Sequence, residues 1–105
     1  MPYKIEKPYY PIGVRGPAQV LFVDDDLYIM QRLGDGNQSR LILVLNNRGN
    51  WNGTWVQTRW SNTRLAPAAW RGLDDSNVPQ EKWTNESGWV DLWAPPRGYT
   101  VYVPR

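Results

Sequence analysis

The stretch from Ser87 to Arg105, SGWVDLWAPPRGYTVYVPR, limits the possible folds more than any other part of the chain. It holds two strand-like runs joined by Ala94-Pro95-Pro96-Arg97-Gly98. The prolines remove backbone donors and the glycine admits a positive φ, so neither a helix nor an unbroken ladder can run through the join. The chain has to turn there. Beyond the turn, Tyr99-Thr100-Val101-Tyr102-Val103 is β-branched or aromatic at every position, the composition of a strand packed on at least one face. It reads as a closing strand that staples the domain together. A charge placed at Val101 is therefore expected to unfold the domain by burying an unpaired carboxylate.

The remaining segments also read as β. Val20 to Val23 is a short strand, and Asp24-Asp25-Asp26 turns it into Leu27 to Leu33. Gly34-Asp35-Gly36-Asn37 tolerates the left-handed backbone, so Leu27–Leu33 and Arg40–Asn46 are expected to form a hairpin. Leu41-Ile42-Leu43-Val44-Leu45 is apolar at every position, which requires both faces to be dry. A strand in a small two-layer sandwich has only one inner face, so either loops or a separate domain must cover the other. Asn46 to Gly53 reads as a long polar turn, with Asn52-Gly53 as its hairpin dipeptide. In Thr54 to Trp60, Val56 is expected inside and Trp55 towards water. Between Ser61 and Asn85 the periodicity is poor. Leu65 to Trp70 reads as a short strand with Pro67 marking an edge. In the closing region Val90 and Leu92 form the natural core pair, leaving Trp89 and Trp93 on the opposite face, about 13 Å apart at the rise of a strand. Residues 1–19, with four prolines and two glycines, read as an extended lead-in or linker, and residues 20–105 as one β domain. Met1 directly before Pro2 reads as a boundary inside a longer protein.

Residue content narrows the chemistry. The chain of 105 residues has room for one core and no second substrate domain. Its net charge is only +2, with acids and bases interspersed, which argues against a nucleic-acid partner. No apolar run reaches the ~20 residues of a membrane span. Met1-Pro2-Tyr3-Lys4 lacks the apolar core of an export signal, and the absence of cysteine does not fix a compartment. With no His and no Cys, the usual general base and the usual zinc ligands are missing. Asp24-Asp25-Asp26 and Asp74-Asp75 are neighbours within turns, which is not the convergent pair that acid/base hydrolysis needs. Asp35-Gly36-Asn37 lacks the alternating acids and closing Glu of an EF-hand loop. No catalytic residue and no metal ligand is expected. The sequons beginning at Asn37, Asn52 and Asn85 say nothing about function.

Seven Trp and six Tyr against one Phe are the anomaly. Aromatics with a polar edge suit a surface that is half dry and half wet. Trp51, Trp55, Trp89 and Trp93, with Gln57 and Asp91 beside them, are the candidates for carbohydrate or inter-domain contact. An indole stacks on the C–H face of a sugar ring while amides and carboxylates at its rim take the hydroxyls. The same residues serve equally as a docking face, or as packing.

In order, LYIMQR, a buried strand ending in LNNRG, WNGTWVQTRW and GWVDLWAPPRGYTVYV resemble the C-terminal β domain that follows the catalytic barrel in bacterial α-amylases. The resemblance spans Leu27 to Val103 and is most specific from Gly88-Trp89 onward. It implies a Greek-key antiparallel β-sandwich of six to eight short strands, packed against a (β/α) barrel that hydrolyses α-1,4-glucosidic bonds of starch. The family's catalytic carboxylates and its main calcium site lie on the barrel, so none maps to a residue here, and no cofactor is expected in this domain. Expected partners are the barrel, an α-glucan at the surface, and a second copy of the chain through a bare docking face. Two other readings are a free-standing carbohydrate-binding module and a small β protein-interaction domain.

Overall fold

A computed structural model describes residues 18–32, 40–73 and 76–105. The lead-in up to residue 17, the turn at residues 34–37, and Asp74-Asp75 lie outside the described residues. Among the described residues eight strands follow one another: β1 (Ala18–Val23), β2 (Leu27–Arg32), β3 (Leu41–Asn46), β4 (Asn52–Gln57), β5 (Arg64–Arg71), β6 (Lys82–Trp83), β7 (Trp89–Ala94) and β8 (Gly98–Pro104). Six form one antiparallel sheet in the order β1-β2-β3-β8-β5-β6, and β4 with β7 forms a two-stranded sheet packed on its face. This is the all-β sandwich that the residue pattern predicts.

The β2–β3 pair runs in unbroken register from Leu27 opposite Asn46 to Arg32 opposite Leu41. The closing run, β8, lies in the middle of the large sheet, with Ile42 of β3 opposite Tyr102 on one side and Ala69 of β5 opposite Val101 on the other. Residues directly opposite in a ladder share a face, and neighbours along a strand alternate. That rule divides the side chains. Leu27, Ile29, Ile42, Val44, Leu65 and Tyr102 point from the large sheet into the interior, where they meet Val56, Val90, Leu92 and Ala94 of the small one. The pair Val90 and Leu92 is core, as the alternation requires.

Two buried amides tie loops to this core. Gln31 donates through Nε2 to Gln19 Oε1 (2.8 Å) and accepts from Arg59 N (3.2 Å), joining β1 to the segment after β4. Asn46 donates through Nδ2 to Asn50 O (2.8 Å), Pro95 O (3.0 Å) and Ala94 O (3.3 Å), and accepts from Arg48 N (2.8 Å). Asn46 thus clamps the end of β3 to the Pro95-Pro96 turn. Gly88 is required at its position: its φ is +90°, and an added Cβ would strike the Thr58 backbone carbonyl.

Four expectations need correction. Asn52-Gly53 is not a hairpin turn; both residues belong to β4, which pairs with β7 rather than with β3. The dipeptide signal loses because the chain crosses between sheets here, and the polar residues 47–51 make the crossing. The strand of Thr54 to Trp60 starts earlier and ends at Gln57. In the Pro95-Pro96 turn the positive φ of 51° falls on Arg97 and not on Gly98. Gly98 is needed for close approach instead, since a Cβ there would run into Arg71 O. Val101 faces away from the core and is only half-buried, while Thr100 and Tyr102 point inward. A charge at Val101 therefore does not enter the interior.

Candidate functional site

The ladder between β4 and β7 sets Gly53 opposite Trp93, Trp55 opposite Asp91, and Gln57 opposite Trp89. All six lie on one face, because Val56, Val90 and Leu92 occupy the alternate, buried positions. The candidates Trp55, Gln57, Trp89, Asp91 and Trp93 therefore share the outer face of the small sheet. Trp55 is 62% exposed, Trp89 42% and Trp93 37%. One exposed indole would be ordinary, but three on one face of a two-stranded sheet make a contiguous aromatic patch. Trp55 stands diagonally from both Trp89 and Trp93, a spacing of about 7–8 Å between backbones, so the three indoles form a strip. The sixth candidate, Trp51, precedes β4 and is half-buried.

The centre of the face is held by a polar cluster. Asp91 Oδ2 accepts from Trp93 Nε1 at 3.0 Å and from Lys82 Nζ at 3.2 Å. Trp93 is fixed from below as well, since an added Cβ on Gly53 would fall 2.5 Å from its Cδ2 and 2.6 Å from its Cγ. Gly53 is thus the floor on which the Trp93 ring lies. At the far end Gln57 Nε2 donates to Ser87 O at 3.0 Å, and Asn85 Oδ1 accepts from Ser87 N and Trp89 N, both at 2.9 Å. The turn that starts β7 is therefore rigid, and Trp89 with it.

Beside this strip lies a cleft of about 400 Å³ lined by Trp51, Val78, Pro79, Gln80, Lys82, Asp91 and Trp93. Sequence reasoning missed Val78 to Lys82, because that segment has no hydrophobic period. The one usable signal was the turn chemistry of Asn85-Glu86-Ser87-Gly88, which folds residues before it back onto β7 and brings Lys82 to Asp91.

A second surface is the outer face of the large sheet. By register, Val20, Met30, Leu43, Val101 and Ala69 form one row across five strands, and Val23, Tyr28, Leu45, Tyr99 and Arg71 form the next. Leu41 and Val103 continue it, and Trp83, opposite Arg64 on β6, stands at its edge 65% exposed. Among the described residues no strand lies over this face, since β4 and β7 cover only the inner side. At one end it opens into a cleft of about 350 Å³ that includes Asp24, Asp25, Asp26, Tyr28, Leu45, Arg97 and Tyr99. Asp24 Oδ1 accepts from Asp26 N and Leu27 N, and Arg48 pairs with Asp26 at 3.1 Å, so these acids cap a turn. Among the described residues no group of three or more acidic side chains is placed to hold a metal ion.

Residues 41–103 match the protein-family model described as alpha-amylase C-terminal. No curated protein sequence matches the chain.

Proposed function

The chain belongs to the alpha-amylase C-terminal family, and from that premise we propose that it is the non-catalytic accessory domain of an α-amylase. In this reading the outer face of the large sheet packs on the catalytic (β/α) barrel and stabilises it, and the indole face of the small sheet contacts starch.

The supporting observation is the apolar outer face of the large sheet, over which no strand lies among the described residues: Val20 and Ala69 are exposed, Leu43, Leu45, Tyr99 and Val101 are half-buried, and Arg32, beside Leu41, is buried. Five strands of six to eight residues, about 4.8 Å apart, present roughly 500 Å² of flat area. That is at the top of the ~300–600 Å² found for the largest apolar patch on a typical monomer. Apolar rows in the middle with Arg71, Arg97 and Asp24 to Asp26 at the margin also follow the anatomy of an interface, greasy at its centre and polar at its rim. A doubly apolar β3 then needs no special account: Ile42 and Val44 serve the domain's own core, while Leu41, Leu43 and Leu45 serve the partner.

The test is binding of the chain to an α-amylase catalytic barrel stripped of its own C-terminal domain. Wild type should bind, and Leu43→Arg or Val101→Asp should not, with unchanged near-ultraviolet circular dichroism showing that both variants fold. Binding that survives both substitutions refutes the docking face. Without a barrel present, the same face should pair copies of the chain, and sedimentation should show that Leu43→Arg restores the monomer.

A further inference from the structure

We propose that the cleft between β7 and residues 78–82 is an anchoring subsite for one end of an α-1,4-glucan, with Trp55 and Trp89 carrying the continuation of the chain. This rests on the starch-contact reading above and adds which residues do the anchoring.

The cleft, at about 400 Å³, falls at the small end of the ~300–1,000 Å³ range of ligand pockets and suits a mono- or disaccharide. Its aromatic wall is already ordered. Trp93 lies on Gly53 and its indole N–H is engaged by Asp91, so binding need not freeze that side chain. Its charges are spent on each other: Lys82 and Asp91 are in contact at 3.2 Å, with only 19% and 27% of their side chains exposed. An ionic ligand would have to compete with that pair. A neutral polyol gains from it, because a carboxylate and an ammonium fixed side by side offer an acceptor and a donor at the spacing of vicinal hydroxyls. Val78, Pro79 and Trp51 complete walls that can receive the C–H face of a pyranose.

The register then sets the direction. Trp55 is directly opposite Asp91, at the mouth of the cleft, and diagonal to Trp89 farther along. A glucan seated in the cleft leaves it over Trp55 and reaches Trp89 last. The acidic cleft at Asp24 to Asp26 has no such combination, having three carboxylates on its lining and no indole.

Calorimetric titration of the full chain with maltose, maltoheptaose and cellobiose tests this. Trp51→Ala and Lys82→Met should each weaken both maltose and maltoheptaose by about tenfold, or about 1.4 kcal/mol. Trp55→Ala should weaken maltoheptaose alone. Lys82→Met keeps the aliphatic stem and carries the test if Trp51→Ala does not fold. If Trp51→Ala and Lys82→Met leave maltose binding intact while Trp55→Ala or Trp89→Ala abolishes binding, the subsite is wrong and the starch reading stands. If wild type binds none of these sugars at tens of millimolar, both fall and the docking face is untouched. Cellobiose binding as tightly as maltose overturns the assignment to an α-glucan.

Discussion

Replacing Asn46 separates two accounts of what holds the sandwich together. Its side-chain amide supplies the donors for Pro95 O and Ala94 O, both buried, and for Asn50 O nearer the surface. Asn46→Leu is close to isosteric and keeps the site dry. It leaves two buried carbonyls without that donor, at about 1–3 kcal/mol each. The added apolar burial returns about 2 kcal/mol, so the net loss is about 0–4 kcal/mol, centred on about 2. Asn46→Ala instead opens a hole ringed by three carbonyls. A water has two hydrogens to give and needs 2–4 polar partners, so it can take over the role of the amide. Alanine should therefore cost only about 1–2 kcal/mol, the usual net worth of a hydrogen bond with its entropic toll. The expected order of stability is Asn, then Ala, then Leu, although Leu buries the most hydrocarbon. Urea unfolding measures it, with slopes of ~1–3 kcal/mol/M for small proteins, so the Leu variant should lose about 1 M in midpoint. A Leu variant as stable as the Ala variant refutes the clamp and returns the stabilisation to packing alone.

Other substitutions address the remaining features. Gly53→Ala should push the Trp93 ring off its floor, break the Nε1–Asp91 contact and cost about 1–3 kcal/mol, read as a shift in tryptophan emission and a lower unfolding midpoint. Leu92→Ala, at a fully buried position between the sheets, should cost about 2–5 kcal/mol in the same assay, whereas Trp89→Ala should cost less than 1. Tyr102 is pushed up from 10.0 to about 12, first by burial and further by the nearby Asp91 carboxylate, and its hydroxyl donates to Trp93 O at 3.3 Å. The folded state therefore holds this proton more tightly than the unfolded chain. The stability it contributes is complete below pH 10 and drains away as pH rises towards 12, by roughly 2–3 kcal/mol. Tyr102→Phe should flatten that alkaline loss, and absorbance at ~295 nm should show one tyrosine in the wild type ionising after those nearer the surface.

Much of this architecture was legible because it rests on alternation. Trp55 beside Val56, and Trp89 and Trp93 around Val90 and Leu92, set both faces of β4 and β7 by alternation alone, and with them the aromatic strip. The run Leu41 to Leu45 likewise gives a strand whose inner residues, Ile42 and Val44, are buried and whose outer residues are half-buried. What escaped was whatever depends on contacts distant in sequence. Asn52-Gly53 has local hairpin chemistry, and only the pairing of β4 with β7, some forty residues away in sequence, shows why a glycine must lie under Trp93. Val101 looks like core in a strand apolar on both sides; the register with Leu43 and Ala69 is what turns it outward. Lys82 carried no pattern, since a two-residue strand is too short to show a period.

The position of β8 also governs how the molecule can be made. Synthesis delivers β1, β2 and β3 first, yet the strand that joins them to β5 is the last of the eight. Until Tyr102 has left the ribosome, β3 presents an unsatisfied, wholly greasy border, and the two halves of the large sheet have nothing in common. Nascent chains stopped before Gly98 should therefore be clients of chaperones, and any tag or crowding that delays the arrival of that strand should show up as insoluble product, well before it shows up as lost function.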